Sequence, residues 1–123
     1  MAFLAYVHRA TRFRDMPTDP YYVGILASPK EKAAFEESQR MLVEDVETAR
    51  PHGPDSIIAL PHMGTQFSHE PDSFSETSAR AMIAEGVAEV LVCHSHAAQP
   101  TQFLSVTSSD GKRRNGFVLC CPD

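Results

Sequence analysis

The sequence predicts an α/β fold, and three observations predict it. Apolar runs at 2–7, 56–61 and 87–92 have the length and composition of strands. Two longer segments with helical periodicity separate them. Two further strand-like runs, 102–107 and 116–121, are joined through the turn residues Asp110-Gly111. The order β, α, β, α, β, β, β describes a sheet with covering helices and a closing hairpin.

The opening Ala2-Phe3-Leu4-Ala5-Tyr6-Val7 reads as a buried strand rather than a secretory signal. It has no basic leader, and His8, Arg9, Arg12 and Arg14 follow it directly. Residues 8–27 hold Pro17, Pro20 and Gly24 and read as a long loop with at most a short element. Ser28-Pro29-Lys30-Glu31 has the form of a capped helix start with proline at the first helical position. That helix should run to about Arg50 and stop at Pro51 and Gly53, burying Phe35, Leu42, Val46 and Ala49. After the strand at 56–61, His62 to Asp72 is a loop. Ser73-Phe74-Ser75-Glu76 then repeats the capping pattern and opens a helix that turns Ala79, Met82 and Ile83 inward and ends at Gly86.

The chain has 123 residues, enough for one domain with a core. Its net charge of -5 argues against nucleic acid or an anionic membrane as a partner. The one basic cluster, Lys112-Arg113-Arg114, reads as a solvated hairpin turn. No apolar run is long enough to span a bilayer. Three cysteines, two of them adjacent, give no disulfide framework, and the composition is that of a cytoplasmic protein with reduced thiols.

The chemistry concentrates in two places. His62-Met63-Gly64 follows one strand, and Cys93-His94-Ser95-His96 follows another. A fold that sets these strand ends side by side gathers His62, His94 and His96. Imidazole binds zinc, iron and other transition metals, and joins oxygen ligands around manganese. His8, His52 and His69 read as polar surface. Asp55 and Glu70 are the carboxylates nearest the motif in sequence, and neither is assigned to it. A Cys/His zinc module using Cys93 is a further reading, weakened because neighbours on an extended backbone point to opposite faces.

Residues 57–67 (Ile-Ile-Ala-Leu-Pro-His-Met-Gly-Thr-Gln-Phe), then Pro71, then Ala84-Glu85-Gly86 leading through Val92 to Cys93-His94-Ser95-His96 and Gln99-Pro100, resemble the CapA-like family. These are capsule and poly-γ-glutamate biosynthesis proteins of the metallophosphatase superfamily. The family has His-Trp-Gly-x-Glu-Tyr and Gly-His-His-Pro-His at the two positions. Here Met63 stands for the Trp, Gln66 for the Glu, and Cys93 and Ser95 for the flanking His and Pro.

The resemblance implies one partial domain, 1–123, equivalent to the C-terminal half of an α-β-β-α sandwich. It implies metal ligation by His62, His94 and His96, with Gly64 and Gln99 on the substrate side. It further implies a divalent metal (manganese, iron or zinc, two in a complete protein) with a metal-bridged hydroxide, acting on a phosphate-ester or capsule-polymer-related ligand. The family's Asp-x-His, Gly-Asp and Gly-Asn-His segments are not found upstream of His62. The enzyme reading is therefore one of a metallophosphatase-type hydrolase in a longer parent, which in this family can be membrane-anchored outside the cytoplasm. The alternative is a non-catalytic capsule-assembly or binding component. A half-sandwich would also expose one sheet face and favour self-association.

Overall fold

Alternating apolar side chains and parallel pairing build a six-stranded sheet. The structure is a computed structural model and describes residues 1–8 and 24–120. Its strands are β1 (Ala2–Val7), β2 (Gly24–Ile25), β3 (Ile57–His62), β4 (Glu89–Val92), β5 (Gln102–Thr107) and β6 (Arg113–Cys120). The helices are α1 (Lys32–Ala49), extended by a 3-10 turn at Arg50–His52, and α2 (Ser73–Glu85). The expected α/β class is what the chain adopts, with a mixed sheet in the order β2-β1-β3-β4-β6-β5. Among the described residues the β5–β6 hairpin is antiparallel and the other pairings are parallel.

The crossovers β1-α1-β3 and β3-α2-β4 step the same way across the sheet. Crossovers of one hand that advance in one direction put both helices on the same face. Leu42 and Val46 of α1 accordingly share one core with Ala79, Met82 and Ile83 of α2 and with Tyr6, Ala59, Val90, Val92 and Val118 of the sheet. No described element packs over the opposite face, where Phe3, Ile25, Phe103 and Phe117 are exposed.

Helix α1 starts at Lys32, later than the Ser28 signal suggests. The Ser28 hydroxyl accepts the Lys30 N–H and its carbonyl accepts the Glu31 N–H, so a separate turn closes first. The helix ends as expected, with Gly53 left-handed (φ 63°) after the 3-10 turn. For α2 the cap is Asp72, one residue before Ser73, and its carboxylate accepts the Ser75 N–H at 2.8 Å. Gly86 terminates that helix at φ 109°. Most of the long loop expected at 8–27 lies outside the described residues. Its visible end contributes β2, too short to show in any sequence pattern.

Candidate functional site

Among the described residues five parallel strands end at one edge of the sheet, and the site is assembled there. Pairing continues past the strand ends. The Cys93 N–H donates to the Pro61 carbonyl at 3.1 Å, the Met63 N–H to Cys93 at 3.0 Å, and the His8 N–H to His62 at 3.0 Å. Residues 8, 62 and 94 are thereby held beside one another as a consequence of register. Carboxyl ends of parallel strands are where α/β sheets place ligands.

The His62 and His94 rings lie with centroids 4.4 Å apart. His96 follows at 6.1 Å from His94 and stacks at 5.7 Å on the exposed Phe67. His62 and His96 are exposed, and His94 is half-buried. His94 has φ 125° and His96 φ 49°. Positive φ is unfavourable for residues with a Cβ, and such strain concentrates at functional sites. The turn is held by the buried Ser95, whose hydroxyl donates to the Ala97 carbonyl at 2.8 Å and whose own carbonyl accepts the Phe67 N–H.

His62 and His94 open into a cleft of about 430 Å³, lined also by His8, Met63, Gly64, Thr65, Asp72 and Phe74. That volume falls within the range of small-ligand pockets. Gly64 (φ 108°) lies against the start of α2; a Cβ there would come within 3.2 Å of the Ser75 hydroxyl. His96 and Gln99 are not part of this lining. Gln99 instead ties the two loops together, its amide donating to the Ser68 and Glu70 carbonyls at 2.9 and 3.2 Å.

Sequence reasoning missed two residues of the cleft. His8, read as polar surface, has its Nδ1 3.0 Å from the Leu26 carbonyl and its ring 4.0 Å from Phe74. A carbonyl only accepts, so Nδ1 carries a proton. The available signal was its position directly after a strand, the same that marked His62. Asp72 was read only as the end of a loop. Burial pushes its carboxyl up, but the Ser75 backbone N–H, the Thr65 hydroxyl at 2.7 Å and the nearby His8 outweigh this and hold it below 3.8.

Among the described residues, no group of three or more His, Cys, Asp or Glu side chains is arranged to hold a metal ion. His62 and His94 place two imidazole rings in one cleft.

The family model described as bacterial capsule synthesis protein PGA_cap matches residues 1–119. The chain belongs to that family. Its role is accordingly that of a CapA-like protein of capsule biosynthesis. Neither a curated protein nor a solved structure matches it. The matched span takes in every described strand and helix up to Leu119 and the whole cleft, so the capsule-synthesis family is recognised on the fold that carries the histidines.

Proposed function

We propose that this PGA_cap chain supplies part of a divalent-cation site of phosphoesterase type, with His62 and His94 as the central donors and His96 as an outer one. The observation that carries the reading is the 4.4 Å approach of the His62 and His94 rings at the ends of adjacent parallel strands. Metal–nitrogen bonds of about 2 Å let two imidazoles this close reach one cation. The positive φ of His94 supports it, because backbone strain of this kind concentrates at functional sites.

A cation held there would polarise a phosphoryl oxygen. The chain's own residues do the rest. The sheet register fixes the separation of the two rings. Gly64 lets the 62–65 loop close against α2. His8 Nε2 and the Thr65 hydroxyl, which also donates to Asp72, offer polar contacts to a ligand in the cleft. The ligand class we assign is a phosphate ester or a capsule-polymer-related molecule. Further oxygen donors, from elsewhere in a complete protein, would finish the ligand set.

Calorimetric titration with manganese and with zinc tests the proposal. The chain should bind at least one of them, and His62→Ala and His94→Ala should each weaken binding by about tenfold or more. No binding of either cation, or binding unchanged in both variants, would overturn it. Loss of zinc binding confined to Cys93→Ser would move the assignment to a Cys/His zinc module.

A further inference from the structure

The basic run Lys112-Arg113-Arg114 is not uniformly solvated. Lys112 and Arg113 are exposed, and Arg113 donates to the Ser105 hydroxyl across the hairpin. Arg114 alternates to the helix side of β6 with Gly116 and Val118, and its side chain is only 25% exposed. There it meets Arg50, which reaches over from the 3-10 turn after α1. Both guanidinium groups converge on Gly86, the residue that ends α2. A Cβ on Gly86 would lie 2.9 Å from Arg50 Nη2 and 3.3 Å from Arg114 Nη1. The two nitrogens are therefore no more than about 6 Å apart.

Two further observations point to a ligand. Arg114 Nε is buried with no hydrogen-bond partner. Buried donors are rarely left so, and each one asks for an acceptor. Arg50 donates to the Glu85 carbonyl, yet among the described residues no carboxylate pairs with it. Asp110 serves both Arg114, at 3.1 Å, and Lys112, at 3.5 Å. Three cations thus share one carboxylate.

We propose that Arg50 and Arg114 form a binding site for a phosphate group. Charge-assisted N–H···O bonds are about 2.8 Å long, so one phosphate spans two nitrogens this close. Guanidinium forks match its geometry. The local excess of two positive charges matches a phosphate dianion better than a single carboxylate. Asp110 and the strand hold Arg114 in place, while the exposed Arg50 closes on the ligand from the solvent side. The net charge of -5 limits the ligand to a small phosphate compound rather than a nucleic acid. Gly86 precedes β4, whereas His94 follows it, so the two sites lie at opposite ends of that strand and are independent of each other.

Calorimetric titration of the chelator-treated chain with inorganic phosphate, in a low-salt buffer, tests the site. Phosphate should bind once per chain, and Arg50→Gln should weaken it by about tenfold or more. Arg114→Gln should do the same, with far-UV circular dichroism confirming that it folds; if it does not, Arg50→Gln decides alone. Arg113→Gln removes the same charge from the other face of β6 and should leave binding unchanged. Glutarate, a dicarboxylate, should bind about tenfold more weakly than phosphate. Absence of phosphate binding at millimolar concentrations, equal weakening by Arg113→Gln and Arg50→Gln, or glutarate bound as tightly as phosphate would each overturn the proposal. So would binding that survives Arg50→Gln but is lost in His94→Ala, since the phosphate would then sit in the histidine cleft.

Discussion

The helix-covered face of the sheet and its carboxyl-end edge follow opposite rules. The covered face is a packing problem. Leu42, Met82, Ile83 and Val90 are at most 1% exposed, and all sit in regular elements. The carboxyl-end edge is polar, partly open and conformationally strained. It has three imidazoles in succession, two at positive φ, and a carboxylate held below its ordinary range. The difference teaches that stability comes from one region and the proposed cation site lies in another. Parallel pairing is the link, since the strands that bury Ala59 and Val90 also end at His62 and His94.

The largest expected effect tests the packing side. Met82→Ala removes a fully buried side chain at the centre of the core. It should cost about 2–5 kcal/mol in urea unfolding. His96→Ala, on an exposed ring at the strained edge, should stay within about 0.5 kcal/mol. If the two substitutions cost the same, the division of labour between face and edge is wrong.

Gly116→Ala sharpens the same point from the backbone. Gly116 is buried on β6, where a Cβ would lie 2.9 Å from the Ala88 carbonyl oxygen and 2.9 Å from Ile83 Cγ1. One extra methyl therefore meets a fixed backbone atom and an α2 side chain. We expect a loss of about 1–3 kcal/mol by the same measurement. A neutral result would mean that α2 can move away from the sheet, and that the core is looser than its burial implies.

Asp72 joins the two regions, because it caps α2 and faces the cleft. Asp72→Ala should cost about 0.5–2 kcal/mol through loss of the cap. Its carboxyl is held below 3.8 in the fold, so the unfolded chain binds the proton more readily. The charged group's contribution is complete above 3.8 and fades as pH falls through the lower, folded-state value. Asp72→Asn keeps a capping oxygen but not the titration. Its stability should fall less steeply than that of the parent over that acid range. Asp110, held down to about 2 by the Ser108 hydroxyl and the Lys112 backbone N–H, titrates in both proteins and cancels from the comparison.

How much of this was legible depended on whether the signal was local. The β1, β3, β5 and β6 runs declare themselves through apolar and β-branched residues, and the hairpin through Asp110-Gly111, whose glycine has φ 78°. The start of α1 was misplaced because Ser28 satisfies two neighbouring N–H groups in a turn that looks the same in sequence as a cap. The cap of α2 was placed one residue late because Asp72 and Ser73 are both good capping residues, and only geometry chooses between them. His62 and His94 were legible because each follows a strand. His8 follows one too, but nothing in the sequence says that the first strand pairs with the third, and that pairing brings it to the cleft. Gln99 stood out by its place in the family order, yet its amide is engaged with the neighbouring loop, a use no motif encodes.

The last expected change in stability carries the opposite sign, and it separates edge from core most cleanly. His94 holds φ 125°, where a Cβ is penalised by about 1–3 kcal/mol and glycine is at ease. His94→Gly removes that strain, while the added freedom of the unfolded chain takes back about 0.5–1 kcal/mol. Some ring contact with His62 is also lost. The net should be a stabilisation of up to about 1 kcal/mol in urea unfolding, accompanied by loss of cation binding in calorimetry. His94→Ala, which removes the ring but keeps the Cβ and its strain, should lose the binding without the gain in stability. If His94→Gly instead destabilised the chain by several kcal/mol, the imidazole would be a packing element, and the edge would obey the same rule as the core.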